Sequence, residues 1–419
     1  MTIAKFKNFL LLMLLFLLPY QTRLIYRYAY IGGNFWEYGS LSLYVSEILL
    51  GAIILLAIIE ELKNKIFISK LTHWSSRGFY LVVSLIAMII LYLAISSDLN
   101  LAWQYLNWVI YAFCLLFIIA GSQINFFKLS LALWLGAIIP SILGIWQFLS
   151  LQVLPNKWLG IASQNPAQIG AAVIEFGGGR WLRAYGSFGW PNSLAIYLGA
   201  IFLLGIILIM LNKSRKWQIG LLLGQIIIIS ALFFTFARGA FLGAAVGGLI
   251  LLIKYRKNIL FYKQIVIYLL LVLILSISFK NLLVARADFT ARLERRSITE
   301  RATQWQDFKN IFAKKFVVGT GPGNYPVNLR QLHPDFSVNY FTPIHNIYLL
   351  YLGQFGLVGA ILLCLVIYLS KQKINWLFAP LVGILVAGLF DHWSLSMFSG
   401  WIFLAVILAL SAFKLSYEE

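Results

Sequence analysis

Asn192-Ser-Leu-Ala-Ile-Tyr-Leu-Gly-Ala-Ile-Phe-Leu-Leu-Gly-Ile-Ile-Leu-Ile-Met-Leu-Asn212 holds no Asp, Glu, Lys or Arg, and Lys213-Ser-Arg-Lys216 follows at once. A helix of about 20 consecutive apolar residues crosses the hydrocarbon core of a bilayer. Cations crowded against one end mark the cytoplasmic side. The stretch therefore reads as a spanning helix with Asn192 on the outer face. Working outward, apolar runs follow at 217–236, 239–254, 262–280, 345–369, 375–391 and 394–413, and precede it at 6–26, 40–60, 78–97, 103–121 and 126–150. About twelve spans with both termini cytoplasmic are expected, in an all-α integral membrane protein. Composition agrees, because 61% of the 419 residues are hydrophobic and 11% charged, against about 25% charged in soluble domains. A soluble enzyme, a secreted domain and a disordered regulator are excluded.

The net charge of +19 has a ready explanation in the positive-inside rule and does not call for nucleic acid. The expected inner segments hold Lys5, Lys7, Lys63, Lys65, Lys70, Arg77, Lys128, the 213–216 cluster, Lys254, Arg256, Lys257, Lys263, Lys371, Lys373 and Lys414. The short outer loops hold only Arg23, Arg27, Lys157, Arg180, Arg183 and Arg238. The first apolar run lacks a small-residue cleavage site and reads as a retained span. Cys114 and Cys364 lie inside apolar runs, with no disulfide signal, and the histidines lack zinc-type spacing. The break near 235–239 either separates two spans or bends one long helix.

Two outer segments, 151–191 and 281–344, are too long for simple connectors. In the second, Ser297-Ile-Thr-Glu300 reads as a capping box that opens a helix at Ser297. Ile298, Ala302, Trp305, Phe308 and Phe312 then recur at the helical period. An amphipathic helix over the outer membrane face is expected, stopping before the turn-rich Gly319-Thr-Gly-Pro-Gly-Asn-Tyr325.

Three residues stand out chemically. Arg238 lies between two apolar runs, where a guanidinium needs a partner. It is a fork for a phosphate or, more plainly, an arginine snorkelling to headgroups. Arg301 falls in the first turn of the expected helix, where free N–H groups favour an anion, and Trp305 could stack on it. The plainer alternative is one more solvated arginine. His345, where a span begins, could act as a general base or simply cap the helix. His392 has a weaker claim of the same kind, and His333 reads as loop. Glycine turns at 186–192 and 319–323 could offer N–H groups to phosphate, with Arg183 beside the first. No Walker A, D-x-D or E-x-D pattern occurs, so neither an ATP motor nor a carboxylate-held metal is expected.

Taken in order, Arg183-Ala-Tyr-Gly-Ser-Phe-Gly-Trp-Pro-Asn192, Phe236-Ala-Arg-Gly-Ala-Phe-Leu-Gly243, Ser297 to Trp305, Gly319 to Tyr325 and His345-Asn-Ile-Tyr-Leu-Leu-Tyr-Leu-Gly-Gln-Phe-Gly-Leu-Val-Gly359 resemble the O-antigen ligase family of bacterial membrane proteins. The resemblance covers about 180–360, and residues 1–170 match mainly in hydropathy. It divides the chain into N-terminal transmembrane helices at 1–170 and a ligase-like region at 171–419 that includes the outer loop 281–344. It implies glycan transfer from a polyprenyl diphosphate carrier to a hydroxyl of a glycolipid, glycan or protein acceptor. The reaction takes place at the outer face of the bacterial cytoplasmic membrane, without metal or other cofactor. Arg238 and Arg301 would engage the diphosphate and His345 would activate the acceptor. Arg183, Asn192, Trp305, Gly321, Gly323 and Asn346 are the expected substrate contacts. The family's usual Ser before the Arg-Gly pair is Ala237 here. The same motifs occur in repeat-unit polymerases, which is the main alternative. A solute transporter, for inorganic carbon, is a more distant one.

Overall fold

A computed structural model of the chain describes residues 2–63, 76–370 and 375–413. Of the cations that set the expected orientation, Lys65, Lys70, Lys371, Lys373 and Lys414 lie outside the described residues, as does the side chain of Arg77. In chain order the helices are α1 (Ile3–Leu17), α2 (Val45–Lys63), α3 (Ser76–Ile95), α4 (Leu99–Gly121), α5 (Phe126–Gly136), α6 (Ile138–Ser150), α7 (Pro191–Leu211), α8 (Arg215–Phe234), α9 (Arg238–Tyr255), α10 (Ile259–Ser278), α11 (Lys280–Ala287), α12 (Arg292–Lys315), α13 (Tyr325–Leu332), α14 (Ile347–Ser370), α15 (Ala379–Ala387), α16 (Trp393–Ser396) and α17 (Phe398–Ser411). Among the described residues, seven helices are long and apolar enough to cross a membrane, with α5 and α6 counted as one. α1, α15 and α17 are apolar but shorter, and α2 carries Glu47, Glu60, Glu61 and Lys63.

α7 is the centre of the bundle. It packs against α5, α8, α9 and α15, and 83% of its most apolar window is buried, against 17% for α10. A helix that is apolar all round belongs inside a membrane protein or facing lipid, and burial decides which: α7 is core and α10 faces outward. α9 meets α15 through a small-residue stripe. A Cβ on Gly243 would lie 2.2 Å from the Gly383 carbonyl oxygen, and one on Gly247 would lie 2.6 Å from that of Ala379. Such contact lets backbones approach closely where no hydrophobic force drives helices together. Gly243→Leu is therefore expected to destabilise the bundle by about 1–3 kcal/mol or more. Thermal unfolding in detergent checks this, with Gly248→Leu as control, since a Cβ at Gly248 meets nothing within 4 Å.

The chain is not purely helical. The expected span 6–26 stops at Leu17, just before Pro19, and 23–27 form strand β1 (Arg23–Arg27). β1 pairs antiparallel with β4 (Leu41–Tyr44), so the expected span at 40–60 begins at Val45. Two further antiparallel ribbons are β2 (Tyr30–Ile31) with β3 (Asn34–Phe35), and β5 (Val173–Phe176) with β6 (Gly179–Leu182). Alternating residues such as Leu24 and Tyr26, both exposed, keep an apolar window high while the chain is extended. These ribbons and α11–α13 gather at one end of the bundle. Thr22 donates to the Trp158 carbonyl, Asp98 pairs with Arg27 and bonds Asn324, and Trp36 donates to the Phe341 carbonyl.

Helix breaks supply irregular backbone at that end. α8 and α9 are two helices, not one bent one, separated at Phe236, whose φ is +48°. The expected spans 375–391 and 394–413 become α15, a coil at Gly388–His392, the single turn α16, and α17. Non-helical backbone at such depth is tolerated when it is buried in protein, and Asp391 and His392 are buried. The amphipathic helix is present as α12, but it starts at Arg292, so Ser297 is interior and no capping box forms. Glu300 instead accepts from Arg296 on the next turn back, at 2.8 Å. Arg301 consequently sits in the third turn, not the first, and has no helix-end N–H groups beside it.

Candidate active site

The break between α8 and α9 organises the first layer of charge. The last carbonyls of a helix lack intrahelical partners and carry its negative dipole end. Two arginines take them. Arg183, buried after β6, donates from Nε to the Thr235 carbonyl at 2.6 Å, and Arg286 of α11 donates from Nε to the Phe236 carbonyl at 3.3 Å. Arg238 is the first residue of α9. Its Nη1 donates to the Arg286 carbonyl at 3.1 Å and its Nη2 to Glu294 Oε2 at 2.6 Å, while Arg286 Nη1 pairs with Glu294 Oε1. Burial and the nearby Arg183, Arg238 and Arg301 lower the Arg286 pKa to about 8. Burial lowers that of Arg183 to about 10.

A second chain of bonds runs inward. Arg183 Nη2 donates to Asn192 Oδ1 at 2.7 Å, and Asn192 Nδ2 donates to Asp391 Oδ2 at 3.1 Å. Asp391 Oδ1 accepts from the Trp393 amide at 2.9 Å. Asn192, in the first turn of α7, thus joins two buried charges of opposite sign. Asn192→Leu would leave Arg183 Nη2 and Asp391 Oδ2 without this partner, at a cost of about 1–3 kcal/mol. A lower unfolding midpoint in the purified variant is the expected result.

His345 stands two residues before α14, half-buried, with its ring edge-on to that of His392 at 4.9 Å between centroids. Gln304 of α12 grips it twice. The Gln304 amide oxygen accepts from the His345 backbone N–H at 3.1 Å, and His345 Nδ1 lies 3.1 Å from that oxygen and 3.0 Å from Gln304 Nε2. When Nδ1–H donates to the oxygen the lone pair is on Nε2, and when Nδ1 accepts from Gln304 Nε2 the proton is on Nε2; in both cases Nε2 has no hydrogen-bond partner among the described residues. Burial lowers the His345 pKa below its ordinary value, and Asp391 partly opposes the shift, so the ring is neutral at pH 7. His392 is held through Nδ1 by Ser396 Oγ at 2.7 Å. Arg301 lies three residues before Gln304 on α12. It makes no hydrogen bond or ion pair with the described residues, and burial together with Arg238 lowers its pKa. Its donors are free. An unpaired guanidinium, a second arginine a charge-interaction away and a neutral, oriented imidazole can stabilise a departing oxyanion and accept a proton.

Residues 223–364 match the family model described as O-antigen ligase. Over this segment, about a third of the chain, the protein is similar to the O-antigen ligase family. The segment runs from α8 into α14 and contains Arg238, Arg286, Glu294, Arg301, Gln304 and His345, while Arg183, Asn192 and Asp391 lie outside it. No curated protein matches the chain.

Other expected contacts have partners within the protein. Trp305 stacks on Phe308, and the cation over its ring is Lys309, not Arg301. Asn346 caps α14, accepting from the Tyr348 and Leu349 amides at 3.0 Å, and its Nδ2 donates to the Leu389 carbonyl. Gly321 and Gly323 are buried in a turn whose amides are spent. Gly321 N–H donates to the Gln354 carbonyl and Gly323 N–H to Gln354 Oε1. The turn plugs the kink of α14 at Gly356, where Leu357 and Val358 donate to the carbonyls of Phe316 and Val317. It thereby fixes the far end of α12, and with it Gln304 against His345. His333 bonds Asp307 at 2.8 Å, anchoring its loop to α12. Gln304, Arg286, Glu294 and Asp391 escape notice in the sequence. Gln304 is a neutral residue in a polar stretch, and the other three are single charges among many.

Proposed function

We propose that the chain transfers a glycan from a polyprenyl diphosphate carrier to an acceptor hydroxyl at the outer face of a cytoplasmic membrane. The similarity to the O-antigen ligase family supports ligase or polymerase chemistry in general. The observation that carries the specific reading is the placement of Arg301 one turn before Gln304 on α12, on the helix face that grips His345. Arg183, Arg238, Arg286 and Arg301 face two carboxylates, Glu294 and Asp391, in this cluster. Glu300, the next nearest, is already paired with Arg296. The excess of two positive charges matches a diphosphate diester dianion.

In this reading His345 Nε2 takes the proton of the acceptor hydroxyl as its oxygen attacks the anomeric carbon. The bond from that carbon to the diphosphate oxygen breaks, and its electron pair leaves with the carrier diphosphate. Diphosphate is already a good leaving group, so the site needs preorganised donors more than a general acid. Arg301 and Arg238 are those donors. A single displacement inverts the anomeric configuration.

Purified protein in liposomes, given a short carrier-linked oligosaccharide and a glycolipid acceptor, tests the reading. One glycan added per acceptor with release of carrier diphosphate is the expected product. A ladder of repeats made from the donor alone would assign repeat-unit polymerisation instead, and no transfer with measurable solute flux would overturn both.

A further inference from the structure

Two guanidiniums converge on one buried carboxylate. Arg238 and Arg286 each hold one oxygen of Glu294, whose side chain is 5% exposed, whereas that of Arg238 is 40% exposed. A carboxylate bridged in this way has the charge and paired acceptors of one phosphoryl group. The two arginines are fixed independently of it. Arg286 Nε is bound to the Phe236 carbonyl, and Arg238 Nη1 is bound to the Arg286 carbonyl. The side chain of Glu294 has no hydrogen-bond partner besides these two arginines among the described residues. It sits in the first turn of α12, where Ala291 provides no side-chain cap, after the exposed residues Asp288, Phe289 and Thr290.

We propose that Glu294 is a resident counter-anion displaced by the donor diphosphate, and that Arg286 is a third guanidinium of the donor site. The proposal rests on the transfer reading above. One oxyanion replaces another on the same donors, and the released carboxylate swings outward to water with the first turn of α12. The same helix carries Arg301 two turns further on and Gln304 about three. Filling the donor site is thereby coupled to the element that orients His345. In the empty site Glu294 offsets one of the two charges of Arg238 and Arg286, which helps this pair of arginines fold without its substrate.

The test is pyrophosphate binding by isothermal calorimetry to the purified full chain in detergent, with thermal unfolding recorded for every variant. Glu294→Gln removes the competing charge and is expected to bind about tenfold more tightly, and Arg286→Ala about tenfold more weakly. Glu294→Asp, which keeps the charge on a shorter arm, should also bind more tightly than the wild type, and it serves if Glu294→Gln fails to fold. With carrier-linked donor, Glu294→Gln should lower KM, a change that a merely structural residue would not produce. Unchanged or weaker pyrophosphate binding by folded Glu294→Gln or Glu294→Asp overturns the displacement. Unchanged binding by Arg286→Ala overturns the third arginine. Undiminished binding by both Arg238→Ala and Arg301→Ala would instead overturn the transfer reading itself.

Discussion

His345→Ala is expected to lower glycan transfer by about 10²–10⁴-fold, the usual contribution of a positioned general base. The protein should still fold, because the side chain's recorded partners are Gln304 and the edge of His392, both held by other contacts or free to hydrate. The pH profile gives a second readout. Burial depresses the His345 pKa below its ordinary 6.5, so the base is already unprotonated at neutral pH. Transfer should fall as the ring protonates, with the midpoint of that acid limb below 6.5. Gln304→Ala should leave the base in place but unaligned, lowering kcat and moving that acid limb. An acid limb of the same position and slope in His345→Ala would show that another group titrates.

Arg301→Ala is expected to lower transfer by about 10²–10³-fold, comparable to removing one preorganised donor from an oxyanion site. Arg301 bonds nothing among the described residues, so its loss strands no partner there and the unfolding midpoint should hold. Arg238→Ala differs in kind. It removes a donor and also leaves buried Glu294 with Arg286 alone, so both activity and stability should drop. Measuring the two variants side by side separates a substrate contact from a structural one. Arg301→Lys keeps the charge but not the fork, and should recover only part of the rate.

The sequence reveals the membrane class because a run such as 192–212 has no charged residue to interpret. It also exposes Arg238 and His345, since a polar side chain at the edge of an apolar run has few ordinary reasons to be there. Arg301 was legible for the wrong reason. The proposed mechanism uses it as an unpaired donor in the middle of α12, whereas the Ser297–Glu300 spacing that draws attention to it is an interior i,i+3 pair. Strand β1 disappears into the window 6–26, because alternating tyrosine and leucine count as apolar whatever the backbone does. Asp391 could not be found from local pattern, since the Asn192 that binds it is 199 residues away. Gly243 and Gly383 pose the same problem. Their meaning is the closeness of α9 and α15, which only the assembled bundle reveals.

The most direct measurement is an experimental structure of the protein in lipid nanodiscs with a non-hydrolysable carrier-diphosphate sugar bound. The account predicts diphosphate density between Arg238 and Arg301, with His345 Nε2 facing the anomeric carbon from the side opposite the leaving oxygen. Diphosphate density away from these arginines, or an anomeric carbon out of reach of His345, would contradict it.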